Sequence, residues 1–360
     1  MEMKTNAVIQ QGFRVTVWTT PFINPDSKNY AAAVAEKYFV PGSSDGTPTL
    51  IQWWRGQGIP VDFTNTGAVQ WYQSILRNTQ SAFGIDSFKF DAGETTYLPK
   101  SGLNYSAVHY TNPSVYTTQY ANAAYEIGGK IMEMRSTWKT QNGSFFVRLM
   151  DKGSSWGALR GFRTVIPSAL TFGILGYPFV LPDMIGGNVY FFGDEENKPE
   201  RELYIRWIEL SAFLPCMQFS ISPWQYDEEV TEIAQRYVEL HQTIIYDEVF
   251  AAATRYVAGD MSLPVSPLWF HSSFSEDPEA AFLSNDFVVG DKYLVAPILE
   301  KGSTQRDIYF PGGSEVKWRD KMRPECYDND TEQNCIVEGG RWIYAYHVDL
   351  DQISWWEKLT

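Results

Sequence analysis

Four charged residues directly follow short apolar segments of this chain, and their types could carry out acid–base and nucleophilic chemistry. They are Asp91, Arg135, Asp151 and Asp183. If the apolar segments are parallel strands, their carboxyl ends open on one face of a barrel, which is where the active sites of barrel enzymes lie. A single aspartate after a strand is usually a turn or cap residue. Four charged residues at successive strand ends instead predict a common pocket.

Asp91 and Asp151 have sequence neighbours that favour opposite protonation states. Side chains alternate along a strand, so we expect Lys89 to point the same way as Asp91 and to lower its pKa. A structural Lys–Asp pair is the alternative. Asp151 lies in the apolar and aromatic segment 145–156, and poorly solvated surroundings raise the pKa of a carboxyl group. Glycoside hydrolysis uses one ionised and one protonated carboxyl group, roughly 5–5.5 Å apart in retaining enzymes.

The order of apolar segments predicts the domain organisation. Short apolar segments alternate with amphipathic ones over residues 1–264, which predicts strands joined by helices. Their number favours a (β/α)8 TIM barrel over a single open sheet. Residues 265–360 contain short alternating segments separated by Pro311-Gly312-Gly313 and Gly339-Gly340, which predicts a C-terminal antiparallel β-sandwich. The apolar stretch 172–182 is interpreted as a buried strand with its approach.

The composition limits the classes of partner. The formal net charge is −14, and binding of nucleic acid needs clustered lysine and arginine, so nucleic acid is not expected as a partner. Aromatic residues make up 16% of the chain, which suits a site that stacks on the flat apolar faces of a ligand and also suits a well-filled core. The spacing of the four histidines and three cysteines matches no metal site, so neither a metal nor another cofactor is expected.

Several ordered motifs resemble those of glycoside hydrolase family 31. The segments that carry the resemblance are Trp18-Thr19-Thr20-Pro21-Phe22-Ile23, Trp53-Trp54-Arg55-Gly56, Asp62-Phe63-Thr64-Asn65, Lys89-Phe90-Asp91-Ala92-Gly93-Glu94, Arg135-Ser136-Thr137, Pro182-Asp183-Met184-Ile185-Gly186-Gly187, Arg206-Trp207, Phe213-Leu214-Pro215 and Gly290-Asp291-Lys292-Tyr293-Leu294-Val295-Ala296-Pro297. They extend over most of the chain in the order that the family has. The family's barrel begins with two strands before the segment that resembles 14–18, so the resemblance implies a barrel lacking its first strands. We therefore expect the chain alone to be poorly soluble or inactive.

The resemblance implies a retaining α-glycosidase that acts on an oligosaccharide or glycoconjugate by double displacement. Asp91 would be the nucleophile, and Asp151 would be the general acid/base. The residues expected to contact the substrate are Trp53, Trp54, Lys89, Glu94, Arg135 and Asp183. A structural ion pair is the alternative for Arg135, and a place in the core is the alternative for the two tryptophans.

Three departures from the family pattern bear on the identity of the sugar. Gln218 and Ser220 stand where many members have arginine and histidine, and Lys89 stands where α-glucosidases have tryptophan. These departures favour a sugar other than glucose. The branch of the family most similar to residues 18–99 is α-galactosidase-like, so terminal α-linked galactose is the expected substrate. The alternatives are α-glucosidase or α-xylosidase activity, and a carbohydrate-binding relative without catalysis.

Two patterns bear on location. Sequons for N-glycosylation start at Asn104, Asn142 and Asn329. Cys326 and Cys335 flank a polar turn, where they would be either a local disulfide or two thiols. With the family resemblance, these patterns predict a protein of the secretory pathway in the lumen of the endoplasmic reticulum. A membrane anchor in a preceding segment and a homodimer are compatible with the sequence.

Overall fold

The computed structural model describes residues 2–43, 45–99, 112–189, 198–272, 277–323 and 335–359. The chain forms two compact units, Met1–Arg148 and Leu149–Thr360. The described helices are α1 (Glu2–Gln10), α2 (Tyr30–Ala35), α3 (Thr66–Phe83), α4 (Ser114–Gly128), α5 (Val165–Ile174), α6 (Arg201–Ser211), α7 (Glu228–Leu240) and α8 (Tyr246–Val257), with a π-helical turn at His241–Ile245. None of these helices is long and apolar enough to cross a membrane.

The strands divide between the two units. Those of the first unit are β1 (Thr16–Thr19), β2 (Phe22–Ile23), β3 (Ile51–Trp53), β4 (Gly56–Pro60), β5 (Ser87–Phe90), β6 (Glu133–Met134) and β7 (Phe146–Arg148). Those of the second unit are β8 (Val180–Leu181), β9 (Val265–Ser266), β10 (Phe287–Val289), β11 (Tyr293–Ala296), β12 (Gln305–Phe310), β13 (Lys317–Asp320), β14 (Ile336–Glu338), β15 (Arg341–His347) and β16 (Ser354–Leu359).

A parallel sheet positions the charged residues of the first unit. Strands β1, β5, β6 and β7 lie in that order, and each pair runs parallel. Asp91 directly follows β5, and Arg135 directly follows β6, so both lie at the carboxyl edge of the sheet. The ladder continues as far as Arg135, whose backbone N–H donates to the Phe90 carbonyl oxygen at 3.1 Å. The predicted proximity of these two side chains therefore follows from strand pairing. Strands β2, β4 and β3 form a separate antiparallel sheet.

Helix α3 has a well-defined start because Asn65 caps it. The Asn65 Oδ1 atom accepts hydrogen bonds from the backbone N–H groups of Gly67 at 2.9 Å and Ala68 at 3.3 Å. These donors have no partner inside the helix, since the first four N–H groups of an α-helix precede the first helical acceptor. At the other end Gly84 adopts a left-handed conformation (φ 62°), which an L side chain would disfavour.

Replacing the cap tests how much it stabilises α3. We expect Asn65→Ala to lower the free energy of unfolding by about 1 kcal/mol, because the N–H groups at the helix start lose their acceptor. Asn65→Asp is the matched control, since aspartate caps as well as asparagine and should stay within about 0.5 kcal/mol of the parent. Urea unfolding followed by circular dichroism measures both. Equal losses in the two variants would show that the cap contributes nothing.

The apolar stretch 172–182 contains the end of helix α5 and then the short strand β8, so the expected strand is present and the segment that approaches it is partly helical. Helix α5 runs to Ile174, and a turn with Gly176 at φ 87° separates it from β8. The backbone N–H of Tyr177 closes this turn on the Phe172 carbonyl oxygen at 2.9 Å. A short apolar run suits a buried helical segment as well as a strand, so its composition alone does not decide between them.

The second unit ends in two antiparallel sheets. The larger has the strand order β14-β13-β16-β11-β10-β9, and the smaller pairs β12 with β15. Both sheets contribute fully buried side chains to a common core, including Phe310 on β12, Trp318 on β13 and Trp356 on β16. Two sheets that share one core agree with the predicted C-terminal β-sandwich.

A buried arginine ties α6 to loops of this second unit. Arg206 and Glu209 are both almost fully buried, and Arg206 Nη1 lies 3.2 Å from Glu209 Oε2. The same Nη1 atom donates to the carbonyl oxygens of Asp349 at 2.9 Å and Gln352 at 2.8 Å. Burial raises the pKa of Glu209 well above its usual range, and the charge of Arg206 acts in the opposite direction. Arg206 is therefore a structural link between α6 and the segment before β16.

The residues that bear on cellular location are only partly described. Asn142 lies in an exposed turn before β7, whereas Asn104 and Asn329 lie outside the described residues. Cys335 is buried and disulfide-bonded. Cys326, the partner expected from the sequence, also lies outside the described residues.

Candidate active site

Asp91 is the centre of a cluster of hydrogen-bond donors at the end of β5. Its Oδ1 atom accepts from Arg135 Nη1 at 3.1 Å, from Arg148 Nη2 at 3.2 Å and from the backbone N–H of Ala92 at 3.0 Å. Its Oδ2 atom accepts from the indole Nε1 of Trp18 at 2.8 Å. Only 8% of the Asp91 surface is exposed. Donors on β1, on β7 and directly after β5 and β6 thus converge on one carboxylate.

This arrangement keeps Asp91 ionised. Burial acts to raise the pKa of Asp91, because it penalises the charged form. The charge of Arg148, the hydrogen bond from Trp18, the charge of Arg135 and the N–H of Ala92 together outweigh burial and lower the pKa below its usual value. A carboxylate that stays ionised in a mostly buried place is suited to nucleophilic attack.

Lys89 is not the cation that contacts Asp91, so the expected cause of the lowered pKa is wrong. Lys89 pairs with Glu133 in the register of β5 and β6, and its Nζ atom lies 2.8 Å from Glu133 Oε1. Arg148 Nε approaches the same Glu133 oxygen at 3.7 Å. Lys89, Glu133, Arg148 and Asp91 thus form a row of ion pairs, in which Glu133 and Arg148 lie between Lys89 and Asp91.

Arg135 contacts Glu94 and Trp54 as well as Asp91. Its Nε atom donates to Glu94 Oε1 at 2.5 Å while Nη1 holds Asp91. The guanidinium carbon also lies 5.3 Å from the ring centroid of Trp54, which is a cation–π contact. Tyr97 packs edge-on against Trp54, with the two ring centroids 5.8 Å apart. Arg135 therefore forms ion pairs, which was its alternative role. One of them is with Asp91, the residue expected to be the nucleophile.

The two adjacent tryptophans have different environments. Trp53 is 8% exposed, stacks on Trp18 with ring planes 10° apart, and donates its Nε1–H to Asn24 Oδ1 at 2.8 Å. Trp54 is 45% exposed and contacts Trp53 edge-on at 5.2 Å. Trp53 therefore lies in the core, which was the alternative for both tryptophans. Trp54 presents its ring to solvent beside Arg135.

The backbone after Asp91 adopts a rare conformation. Ala92 has φ 58° and Gly93 has φ 91°, both in the left-handed region. A Cβ atom on Gly93 would lie 2.6 Å from the Tyr120 ring, so only glycine fits there. The Tyr120 hydroxyl donates to the Asp91 carbonyl oxygen at 3.1 Å, and Ser136 Oγ donates to that of Ala92 at 2.7 Å. Strained backbone held by buried hydrogen bonds is common at functional sites.

Asp151 and Asp183 lie in the second unit, where a buried carboxylate braces the segment that carries Asp151. Asp183 is fully buried and has φ 81°, which is rare for a residue other than glycine. Its Oδ2 atom accepts the backbone N–H of Lys152 at 2.7 Å. Asp151 directly precedes Lys152 and is half-buried. The geometry shows Asp183 fixing the main chain beside Asp151.

Lys152 anchors the same segment through its side chain. Its Nζ atom donates to Ser168 Oγ at 2.8 Å and lies 3.4 Å from the Thr164 carbonyl oxygen. Burial lowers the pKa of Lys152 to about 8, while the negative charge of Asp183 acts in the opposite direction. The segment that begins at Asp151 is therefore tied both to Asp183 and to helix α5.

The glycine pair after Asp183 allows close packing on this segment. Gly187 has φ 75°, and a Cβ atom there would lie 2.7 Å from the Gly153 carbonyl oxygen. The backbone N–H of Asn188 donates to the Lys152 carbonyl oxygen at 2.7 Å. On the other side, Ile185 N–H donates to the carbonyl oxygen of Gln218, one of the departures noted in the sequence. The Asp183 motif thus supports the Asp151 segment along its length.

Arg148, Trp18 and Glu133 belong to the cluster around Asp91 but were not predicted as site residues. A signal was present for two of them, because Arg148 and Glu133 are single charged residues within apolar strand segments. A charge in a buried strand is costly unless it is paired, so it indicates a partner. Among the described residues, no group of three or more His, Cys, Asp and Glu side chains is arranged to hold a metal ion.

Two family models match the chain, and together they agree with its fold. The glycosyl hydrolases family 31 TIM-barrel domain matches residues 2–245, and the glycosyl hydrolase family 31 C-terminal domain matches residues 262–355. The chain belongs to glycoside hydrolase family 31. This confirms the predicted fold class, a TIM-barrel domain followed by a domain of antiparallel sheets.

The chain spans about half the length of the curated relatives it matches. It is 40% identical to the myogenesis-regulating glycosidase of Mus musculus over 349 residues, covering 96% of this chain and 46% of the relative. It is 28% identical to the SITS-binding protein of Tetronarce californica, covering 95% of this chain and 47% of the relative. It is also 28% identical to a sulfoquinovosidase of Agrobacterium fabrum, with 88% and 48% covered.

Solved structures with the same fold include a cycloalternan-degrading enzyme and a dextranase. A cycloalternan-degrading enzyme from Trueperella pyogenes superposes with a TM-score of 0.81 at 21% identity, covering 100% of this chain and 51% of that enzyme. A dextranase from Flavobacterium johnsoniae, solved with glucose, superposes with a TM-score of 0.80 at 21% identity, covering 99% and 44%. At this level of identity the likeness shows the fold.

Proposed function

We propose that this chain carries the catalytic residues of a retaining α-glycosidase. The observation that carries the proposal is the buried Asp91 carboxylate, which two arginines keep ionised. Asp91 attacks the anomeric carbon, so that a carbon–oxygen bond to the enzyme forms as the glycosidic bond breaks. Asp151 gives a proton to the departing oxygen and later takes one from the water that releases the sugar.

Four of the other predicted site residues, Arg135, Glu94, Trp54 and Asp183, fit supporting roles in this scheme. Arg135 and Glu94 are held together beside Asp91, where both can hydrogen-bond to sugar hydroxyls. The exposed ring of Trp54 offers an apolar face to a sugar ring. Asp183, which is fully buried, acts through the main chain next to Asp151.

Terminal α-linked galactose is the substrate we propose first. The support is in the sequence departures, since Gln218, Ser220 and Lys89 replace residues typical of glucose-specific members. The family is diverse, and the relatives at about 26% identity include proteins named α-xylosidase. Glucosides and xylosides are therefore the alternatives within the same mechanism.

A panel of nitrophenyl α-galactoside, α-glucoside and α-xyloside tests this proposal. Since the chain spans about half of its relatives, the panel is run on this chain and on a longer form that includes any flanking segments. We expect hydrolysis of the galactoside, with the α-anomer as the first product in the proton NMR spectrum. A β-anomer as first product would contradict a retaining mechanism. Hydrolysis of only the glucoside or xyloside would keep the mechanism and change the sugar.

A second candidate function is ligand binding without turnover. It is favoured by the similarity to a relative whose name describes binding, the SITS-binding protein. Under this candidate none of the three glycosides is hydrolysed, and Asp91→Asn leaves carbohydrate binding by calorimetry unchanged. Turnover that requires Asp91 would exclude it.

A further inference from the structure

The two oxygens of Asp91 are in different environments. Three donors converge on Oδ1, namely Arg135, Arg148 and the backbone N–H of Ala92. Among the residues that the structure describes, a single donor, the indole N–H of Trp18, reaches Oδ2 at 2.8 Å. A carboxylate has about four lone-pair sites on its two oxygens. Oδ1 is therefore fully engaged, and Oδ2 keeps a lone pair that can form a bond.

We propose that Trp18 is a positioning residue of this site, and that its indole N–H fixes Oδ2 of Asp91 as the atom that attacks the sugar. This inference rests on the proposed function and adds a residue and an atom to it. In the first step Oδ2 bonds to the anomeric carbon, and the electrons of the glycosidic bond leave with the aglycone oxygen, which takes the proton of Asp151. Oδ1 stays with the two arginines throughout.

The surroundings of Trp18 restrict how its indole can turn. Trp18 pairs with Lys89 in the register of β1 and β5, so its backbone is fixed two residues before Asp91 along the ladder. Its ring stacks on Trp53, with centroids 6.3 Å apart. Trp53 is in turn held by Asn24 through a hydrogen bond of 2.8 Å. Trp18 as a whole is 41% exposed, whereas the carboxylate that it holds is buried.

The sign of the expected pH effect follows from the groups around Asp91. The charged and titratable groups of the surrounding elements are Lys89 on β5, Glu94 after β5, Tyr97, Tyr120 on α4, Glu133 on β6, Arg135 after β6 and Arg148 on β7. Trp18 is uncharged, so Trp18→Phe removes a donor and leaves these charges unaltered. A carboxylate that loses a donor has a higher pKa, because the hydrogen bond favoured the ionised form.

The first test is the pH profile of kcat/KM for Trp18→Phe. We expect the acidic limb to move to higher pH by about 0.5–1 unit. The pKa of Asp91 should rise by this amount when its ionised form loses one partly exposed hydrogen bond. Trp53→Phe is the matched control. It removes an indole N–H from the same aromatic cluster but no bond to Asp91, so its acidic limb should stay in place. Equal limbs in Trp18→Phe and the parent would overturn the proposal.

The second test does not need catalysis. A double-mutant cycle of Trp18→Phe and Asp91→Ala compares unfolding equilibria at pH 7, with Trp53→Phe and Asp91→Ala as the control cycle. Asp91→Ala leaves Arg135 with Glu94 and Arg148 with Glu133, so folding should persist. We expect a coupling of about fivefold or more in the unfolding constant for Trp18, and none for Trp53.

The pH dependence of this coupling has a defined sign. The pKa of Asp91 is lowered in the folded state, so its stabilising contacts are present above the unfolded pKa and are lost as the pH falls through the folded pKa. The coupling should therefore weaken on acidification. Absence of coupling at pH 7 would overturn the role of Trp18. If the coupling is present but the protein hydrolyses no glycoside, the contact between Trp18 and Asp91 is supported and only the proposed function is contradicted.

Discussion

Asp91→Ala is expected to lower kcat on the best nitrophenyl α-glycoside by roughly 10⁴-fold, because the variant has no group to form the covalent intermediate. Substrate binding should change far less, since Arg135 keeps its bond to Glu94 and its contact with Trp54. Steady-state kinetics of the parent and the variant measure this difference, and circular dichroism confirms that both are folded. Turnover within a few-fold of the parent would show that Asp91 is not the nucleophile.

Azide distinguishes the two proposed carboxylates by the product that each variant forms. In Asp91→Ala, azide can enter on the face from which Asp91 attacks, which should restore turnover and give the β-glycosyl azide. In the control Asp151→Ala, azide should intercept the covalent intermediate from the opposite face and give the α-glycosyl azide. NMR of the products separates the two anomers. The same anomer from both variants would contradict the assignment of roles.

Arg206→Met is expected to lower the free energy of unfolding by about 3–5 kcal/mol, the range found when one partner of a buried ion pair is removed. Glu209 would be left buried without its ion-pair partner, and the carbonyl oxygens of Asp349 and Gln352 would lose their donor. Guanidinium unfolding followed by tryptophan fluorescence measures the loss. Arg236→Met is the matched control, because Arg236 is about half exposed and pairs with Asp351. Exposed pairs contribute about 0–1 kcal/mol.

The cost of Arg206→Met should depend on pH. A glutamate whose pKa is raised in the folded state stabilises the fold at low pH, and this contribution is lost as the pH rises through the folded pKa. Without Arg206 the pKa of Glu209 would rise further, so the variant should lose more stability at pH 8 than at pH 5. A loss that does not change between these two pH values would indicate that Glu209 remains neutral in both proteins.

The sequence was sufficient to predict that Asp91 and Arg135 lie close together at the end of the parallel sheet. Asp91 and Arg135 follow apolar segments, and parallel strands place such positions at one edge of the sheet. The structure places Asp91 directly after β5 and Arg135 directly after β6, 3.1 Å apart through their side chains. This part was predictable because it needs only the ends of strands and the direction in which they run.

The partners of each charge were less predictable, because they depend on register. Lys89 is two residues from Asp91, yet its ion pair is with Glu133, which the pairing of β5 and β6 places beside it. Arg148 is 57 positions from Asp91 and contacts it across the sheet. Spacing along the chain shows which residues share a face, but the neighbour on the next strand is fixed only when the strands align.

The sequence also did not show which of the two adjacent tryptophans is buried. Neighbouring residues near a strand end point in different directions, so Trp53 and Trp54 could be expected to differ in environment. Which of them is buried is decided by the antiparallel pairing of β3 with β4 and by the hydrogen bond from Trp53 to Asn24. That bond joins positions 29 residues apart, and no pattern in the sequence connects them.

The row of ion pairs at the end of the parallel sheet has a consequence for the kind of molecule that it can accept. Lys89, Arg148 and Arg135 alternate with Glu133, Asp91 and Glu94, so three positive side chains balance three negative ones. The protein as a whole carries a formal charge of −14, yet this row is neutral. Under the proposed function, we therefore expect the row to favour an uncharged sugar over a sulfonated or phosphorylated one, whose charge the paired side chains of the row would not compensate.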